Sequence, residues 1–336
     1  MGARQARHGT KERRKLMSFR SYSSRQSTVD RDIVMKGTGV HSGAEVSLML
    51  HPAEANTGYN FYVQGGGRIG HVPGDFRAVS NLTLCTVLSG MHGVSVATVE
   101  HLLAALRGLG VDNVDIEVDG NEIPIMDGSA EPFVDAIEEA GLHELDEPRR
   151  YIKILRPVHV KDGDAIGEIF PYNGFRLDIE IDFNSPFIGK QRLDVDVTPW
   201  SFKKKLCRAR TFGFMKDVKQ LWAAGRALGA SLENTVAIGD DRILNIEGLR
   251  YSDEFVRHKA MDAVGDLALA GAPILGLYRS SRGGHRLNSK VLHALYDNKD
   301  AWTIVEMAEK PHARHVAPSA EFGIAFATPN FAPATD

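Results

Sequence analysis

The chain has 336 residues, 43% of them hydrophobic and 25% charged, which is typical of a globular protein and excludes disorder for most of its length. It has no run of about 18 apolar residues and no apolar stretch at its N-terminus, so we expect a cytosolic protein without a membrane span or secretory signal. The formal charge is −3, but residues 1–25 carry +7, which leaves an acidic body of −10 and argues against a large nucleic-acid surface.

The segment from Met1 to about Ser27 is rich in Arg, Lys and Ser and has almost no apolar periodicity. We therefore predict a disordered basic arm over residues 1–27. Its composition resembles an organelle transit peptide. A solvated tail, or a start codon placed upstream of the true start at Met17, fits equally well, so the role of the arm stays open.

Residues 28–148 are predicted to form a first domain of strands and helices. Alternating apolar residues predict strands, and apolar residues at helical spacing predict helices, the second of which ends at Gly141. The strands are Ala44–His51, Tyr59–Val63 and Val114–Val118, and the helices are Val99–Arg107 and Glu131–Ala140. The charged stretch Glu144–Arg150, which contains Pro148, is the predicted domain boundary.

Residues 151–310 are predicted to form a second domain, followed by a C-terminal tail over residues 311–336. Arg176–Phe183 alternates strictly between apolar and polar residues, which predicts a strand with one solvated face. Phe255–Ala270 is the clearest helix, with Ser252 as its predicted N-cap. A strand at Pro273–Arg279 and a helix at Leu287–Leu295 follow. Because each half alternates strands with a pair of helices, we predict an α+β protein of two sandwich-like layers, not a doubly wound parallel sheet.

The helix Phe255–Ala270 carries a row of polar residues that its apolar stripe does not include. His258 and Asp262 are four residues apart, so their side chains lie one above the other, and Asp266 extends the row. Such a row faces solvent, a partner or a site. A solvated face is the more common outcome for this spacing alone.

A second group begins the helix at Val99–Arg107. Glu100 and His101 lie outside that helix's apolar stripe, and a carboxylate next to a histidine suits a metal hydrolase in which one binds metal and the other takes a proton. A surface dipeptide is again the common alternative. Two histidines and one carboxylate would leave a fourth zinc position open, as a catalytic site requires.

The third group is Ser281-Arg-Gly-Gly-His285, where two glycines allow a tight turn that presents a histidine. Turn histidines are usually incidental. Together with the other two groups, His285 becomes a candidate general acid.

These groups and several other segments resemble the UDP-3-O-acyl-N-acetylglucosamine deacetylases, the zinc amidases of lipid A biosynthesis. The resemblance covers about Val29 to Leu295, in the family's order. The matching segments are Gly39-Val-His-Ser-Gly43, Leu84-Cys-Thr86, Thr98-Val-Glu-His-Leu102, Gly108–Asn113, Glu122–Ala130, Ala209–Phe214, Phe255–Lys259 with Asp262 and Asp266, and Gly284-His285 with Leu287-Asn288.

The resemblance implies roles for these residues. Zinc would be bound by His101, His258 and Asp262, with ferrous iron tolerated by the same ligands. Each remaining role falls to one side chain: Glu100 is the general base, His285 the general acid, Asp266 the group that orients His285, Thr211 the donor to the oxyanion and Lys259 a contact to the negative charge of the substrate.

The resemblance also implies the fold and the substrate site. Each of two similar domains would be a sheet packed on two helices, with a β-α-β insert at about residues 212–250 that forms a channel for the fatty acyl chain. Its predicted lining is Phe212, Met215, Val218, Ala230, Ser231 and Ala237, and His41 is a further expected substrate contact. The family's more common Gly-Gly-Ser is Gly229-Ala230-Ser231 here, so the preferred acyl length stays open.

The expected partner is therefore an acylated UDP-sugar, bound by a monomer without nucleic acid. Three other functions compete with this hypothesis. The basic arm on a sandwich fold could bind RNA, although the acidic body weakens that idea. A zinc amidohydrolase could act on another acetylated sugar or a peptide, and an inactive scaffold is disfavoured by the intact set of polar residues.

Overall fold

The computed structural model describes residues 24–65 and 68–306. The predicted tail over 311–336 and most of the predicted arm lie outside the described residues. The end of the arm does not: Arg25–Val29 is a strand in which Gln26 and Ser27 are buried. The prediction of disorder is wrong for residues 25–27. It rested on the absence of an apolar pattern, but hydrogen bonds hold these residues in place. The amide of Gln26 donates to Asn56 Oδ1 at 2.9 Å and to the carbonyl of Pro148 at 3.1 Å.

The described part of the first half forms ten strands and two α-helices. In chain order they are β1 (Arg25–Val29), β2 (Ile33–Thr38), β3 (Glu45–His51), β4 (Tyr59–Gly65), β5 (Arg68–Pro73), β6 (Val79–Asn81), β7 (Val87–Ser89), β8 (Ser95–Val96), α1 (Glu100–Leu109), β9 (Val114–Val118), α2 (Glu131–Ala140) and β10 (Leu142–Pro148).

The described part of the second half forms nine strands and four α-helices. They are β11 (Arg150–Ile154), β12 (Val158–Asp162), β13 (Ala165–Pro171), β14 (Phe175–Asp182), β15 (Lys190–Asp196), α3 (Pro199–Lys205), β16 (Phe212–Phe214), α4 (Met215–Ala223), β17 (Val236–Ile238), α5 (Glu254–Ala268), β18 (Ile274–Ser281), α6 (His285–Asp297) and β19 (Trp302–Glu306).

Two large sheets organise the described chain. The first has five strands in the order β2-β3-β9-β4-β5, with β9 antiparallel to β3 and parallel to β4. In the second, which has seven strands, β18 pairs in parallel with β11 and β14 and antiparallel with β13. Mixed sheets with separate helices confirm the α+β class. The division into two domains stays a prediction.

Between residues 212 and 238 the chain forms the β-α-β unit expected of the insert: β16 and β17 pair in parallel, with α4 between them. The charged stretch Glu144–Arg150 contains most of β10 and the first residue of β11, so this segment is paired strand. Among the described residues, no helix is both long and apolar enough to span a membrane.

Two local expectations are wrong. Ser252 does not cap α5: Asp253 occupies the N-cap position without a side-chain cap bond, because its carboxylate binds Arg257 Nε at 2.5 Å. In β14, Leu177, Ile179 and Ile181 are buried as expected, but Asp178 is buried too. Its carboxylate accepts hydrogen bonds from Arg192 and Arg279, whose charges satisfy it within the sheet.

The contact of the fold that positions the predicted site residues is between α1 and α5. Gly265 of α5 lies so close to the start of α1 that a Cβ atom there would be 2.0 Å from the backbone carbonyl oxygen of Glu100. Glycine therefore permits the two helix backbones to touch. This contact brings the first turn of α1 against the polar row of α5.

Candidate active site

The first turn of α1 carries two of the predicted residues, Glu100 and His101, and both are buried. The turn is preceded by Thr98, whose φ of 58° is unusual for a residue with a β-branched side chain. Its hydroxyl donates to Glu122 Oε1 at 3.0 Å, which holds the strained residue in place. The strained and hydrogen-bonded Thr98 therefore fixes the direction of the first turn of α1, which carries Glu100 and His101.

The polar row of α5 lies against that turn. His258, Asp262 and Asp266 are only 2–3% exposed, so the row forms a buried site and not a solvated face. Burial of three polar groups on one helix is costly unless each finds a partner. Their partners come from α1, α6, the loop before β7, the loop between α3 and β16, and α5 itself.

His101, His258 and Asp262 form a group that fits a metal ion. One ligand atom from each lies within 4.8 Å of the others, and Asp262 Oδ1 is 3.6 Å from His101 Nε2 and 3.3 Å from His258 Nε2. Within the described residues, Asp262 Oδ1 is buried without a hydrogen-bond partner. The Nδ1 atom of His258 lies 3.0 Å from the carbonyl of Ala209, which orients Nε2 toward the group. A buried, unpaired carboxylate oxygen between two imidazoles is a donor set that could hold a metal ion.

The charges of this group also suit metal binding. Burial lowers the pKa of His258 to about 3, so its imidazole is neutral and can donate a lone pair. Burial would raise the pKa of Asp262, but His258 and Lys259 hold it well below its usual range. Lys259 Nζ lies 2.9 Å from Asp262 Oδ2. The carboxylate is therefore ionised, as a metal ligand must be.

His285 lies at the start of α6, where a turn residue was expected, and faces the same group. Its Nδ1 atom is 2.8 Å from Asp266 Oδ2, and its Nε2 atom is 3.7 Å from Glu100 Oε1. Burial alone would lower the pKa of His285, but Asp266 and Glu100 outweigh burial and raise that pKa to about 9. Burial raises the pKa of Glu100, and His285 and His101 oppose that rise. One candidate acid and one candidate base thus face each other.

Two supporting residues were not assigned roles from the sequence. Thr86 donates its hydroxyl to Asp266 Oδ1 at 2.7 Å and its backbone N–H to Glu100 Oε2 at 3.1 Å. Asn288 donates to Asp266 Oδ2 at 2.7 Å. Both occur in the matching segments, but only the fold reveals that they bind Asp266 and Glu100.

A cavity of about 860 Å³ opens from this group. Asp266 lies behind His285 and is the one predicted site residue that does not line the cavity. The others that do are Glu100, His101, His258, Lys259, Asp262, His285, Thr211, Phe212, Met215, Val218, Ala230, Ser231, Ala237 and His41. Leu221, Trp222 and Leu232 also line it and were missed, since isolated apolar residues give no sequence signal. Polar groups at one place and an apolar wall elsewhere suit an amphiphilic ligand.

Glu122 links the cavity wall to Thr98, just before α1, a role that sequence reasoning did not assign. Besides Thr98, its carboxylate accepts the backbone N–H groups of His41 and Ser42, both at 2.9 Å. The side chain is buried, so each bond lies in a medium of low dielectric constant.

We expect Glu122→Gln to lower the free energy of unfolding by about 1.5–3 kcal/mol, because an amide cannot accept all three bonds. Chemical denaturation measures this loss. Glu117→Gln, a half-exposed glutamate on β9, is the matched control and should change stability by less than about 0.5 kcal/mol. Equal stability of the two variants would contradict the tethering role.

Comparison with known proteins agrees with the family resemblance seen in the sequence. The family model described as UDP-3-O-acyl N-acetylglycosamine deacetylase matches residues 26–297. Proteins named UDP-3-O-acyl-N-acetylglucosamine deacetylase from Brucella ovis, Brucella canis and Brucella melitensis biotype 2 are each 48% identical over 282 residues. Each alignment covers 84% of this chain and 98% of the relative.

Proposed function

This chain belongs to the UDP-3-O-acyl-N-acetylglycosamine deacetylase family, and we propose that it hydrolyses the acetamide of UDP-3-O-acyl-N-acetylglucosamine in lipid A biosynthesis. The products are acetate and the free amine of the sugar. One observation carries the proposal: a facing acid and base, Glu100 and His285, stand beside a three-ligand metal group at the end of a large apolar cavity.

We propose that His101, His258 and Asp262 hold a zinc ion, with ferrous iron as the alternative occupant. When bound, zinc polarises the acetyl carbonyl and lowers the pKa of a water molecule toward about 7. The neutral state of His258 and the ionised state of Asp262 support this assignment.

The remaining chemistry falls to side chains of this chain. Glu100 accepts a proton from the attacking water, so that the oxygen of the water can add to the acetyl carbon. Thr211 donates its hydroxyl to the carbonyl oxygen as that atom gains negative charge. Protonated His285, oriented by Asp266, then gives its proton to the sugar nitrogen as the C–N bond breaks.

The substrate's other parts would be held by groups along the cavity. Lys259 lines the cavity and would contact negative charge near the reacting centre. Burial alone would lower the pKa of Lys259, but Asp262 outweighs burial and raises it, so the ammonium stays charged. The acyl chain would lie among Phe212, Met215, Val218, Ala230, Ser231 and Ala237, with His41 as a further contact. The apolar character of this wall favours an acylated sugar over a peptide or an unacylated sugar.

The test of this function is acetate release by the purified full chain. We expect hydrolysis of UDP-3-O-acyl-N-acetylglucosamine to stop after chelation and to return when one equivalent of zinc is added. UDP-N-acetylglucosamine, which lacks the acyl chain, is the matched control and should be hydrolysed far more slowly. No activity toward the acylated sugar in protein with confirmed bound metal would exclude this substrate.

Activity should depend on pH through Glu100 and His285. It rises with pH as Glu100 loses its proton and falls above a pH of about 9, where His285 loses the proton that it must donate. We expect His285→Ala to lower kcat by about 10²-fold or more and to remove the alkaline decline. His293→Ala, an exposed histidine of α6, is the control. An unchanged profile and rate in His285→Ala would exclude it as the acid.

We also propose that the protein acts in the cytosol as a monomer without a nucleic-acid partner. The charge of −10 on residues 26–336 supports the last point, because nucleic acid would be repelled. Light scattering of the purified protein tests the oligomeric state, and a mass of twice 36.8 kDa would contradict a monomer.

A further inference from the structure

A second cavity, of about 250 Å³, lies at the opposite end of α1 from the catalytic residues. We call it the Arg107 cavity. Its apolar walls come from the end of α1, from α5 and from the second sheet, with side chains that include Leu109, Phe175, Val264, Leu267 and Ile274. In the described part of the chain it shares no lining residue with the catalytic cavity. It is therefore a separate space in contact with the two helices that carry the catalytic groups.

Two guanidinium groups, from Arg107 and Arg149, line this mostly apolar cavity. Their side chains are 9% and 7% exposed. Asp112 is shared between them: it lies 2.8 Å from Arg149 Nε but 3.6 Å from Arg107 Nη1. The other carboxylate of the lining, Glu144, is 62% exposed and pairs with Arg25. Among the buried groups, two positive charges thus share one carboxylate, which leaves one buried positive charge in excess.

The two arginines differ in their hydrogen-bond partners. Arg149 donates to Asp112 and to the carbonyl of Gly110. Arg107 Nε and Nη1 are buried without a hydrogen-bond partner among the described residues, and the guanidinium otherwise lies over the ring of Tyr59. Buried nitrogens of a guanidinium normally have hydrogen-bond acceptors, and the described residues supply none for these two.

We propose that the Arg107 cavity binds a small amphiphilic carboxylate, whose anionic head pairs with Arg107 and whose hydrocarbon body lies against the apolar wall. One excess positive charge matches a monoanion better than phosphate, which carries more charge at neutral pH. At about 30 Å³ per water-sized group, the cavity has room for about eight such groups, the size of a medium-chain alkanoate.

The probe is octanoate, and its binding to the metal-loaded full chain is measured by calorimetry. Octanoate can also enter the acyl channel, so the comparison between variants isolates the Arg107 cavity. We expect Arg107→Met to lose one binding site, or to weaken it by about tenfold or more, while deacetylation continues at the normal rate. Arg156→Met removes an arginine that is exposed and does not line the cavity, and this variant should bind octanoate as the unaltered protein does.

A second variant blocks the same cavity without altering charge. Ala272, half-buried in its lining, can be replaced by Trp, which should abolish the same binding site by filling space. Octanol and octylamine test the charge requirement, and inorganic phosphate tests the need for a hydrocarbon body. None of these three should bind at this site.

Three results would overturn the proposal. Equal octanoate binding by the unaltered protein, Arg107→Met and Ala272→Trp would mean that only the acyl channel binds it. Binding of phosphate with similar affinity would make the site a plain anion site. Absence of octanoate binding by all three proteins would mean that water alone satisfies the guanidinium.

Discussion

Replacing Glu100 by Gln is expected to lower kcat by about 10²–10⁴-fold while the protein keeps its metal. The substitution preserves shape and one acceptor oxygen, so the backbone N–H of Thr86 can still donate to the side chain. By the proposed mechanism, what is lost is the ability to take a proton from the attacking water. Acetate release under saturating substrate, together with metal analysis of the same samples, measures both effects.

The position of Glu100 makes this effect specific. Its carboxylate is buried and 3.7 Å from His285 Nε2, so bulk water cannot replace it in the proposed role of base. Glu54→Gln changes an exposed glutamate distant in sequence from the site and is the matched control. A Glu100→Gln enzyme within threefold of normal kcat would mean that another group accepts the proton.

Gly265→Ala is expected to lower the free energy of unfolding by about 3 kcal/mol and to reduce metal binding at the same time. The added Cβ would lie 2.0 Å from the carbonyl oxygen of Glu100, a backbone atom of α1 that no side-chain rotation can move. The helices must separate to admit it. Separation increases the distance between His101 on α1 and His258 and Asp262 on α5.

Chemical denaturation and metal analysis measure these two losses. Gly213→Ala is the control for stability, because a Cβ at that glycine would meet nothing within 4 Å. Its free energy of unfolding should stay within about 0.5 kcal/mol of normal. If Gly265→Ala were as stable and bound as much metal, the close helix contact would not be what assembles the site.

Local regularities in the sequence determine much of this molecule. Alternation and helical spacing predict the strands at Val114–Val118 and Arg176–Phe183 and the helix at Phe255–Ala270 to within one or two residues. The spacing of four between His258 and Asp262 is sufficient to place them on one face, because an α-helix repeats every 3.6 residues. The segments that resemble the deacetylase family also identify the residues of the candidate site.

The tertiary structure decides which of these faces is buried and what each polar group binds. Whether the row on α5 is solvated or buried depends on α1, which packs against it through Gly265. Thr86 and Asp266 are 180 residues apart and still share a hydrogen bond. The buried Gln26 and the buried Asp178 follow the same rule, since each has a partner that is distant in sequence. Periodicity records that a side chain has a preferred face, but burial of a polar group is stable only where the fold supplies its partner, and that partner is chosen by long-range contacts.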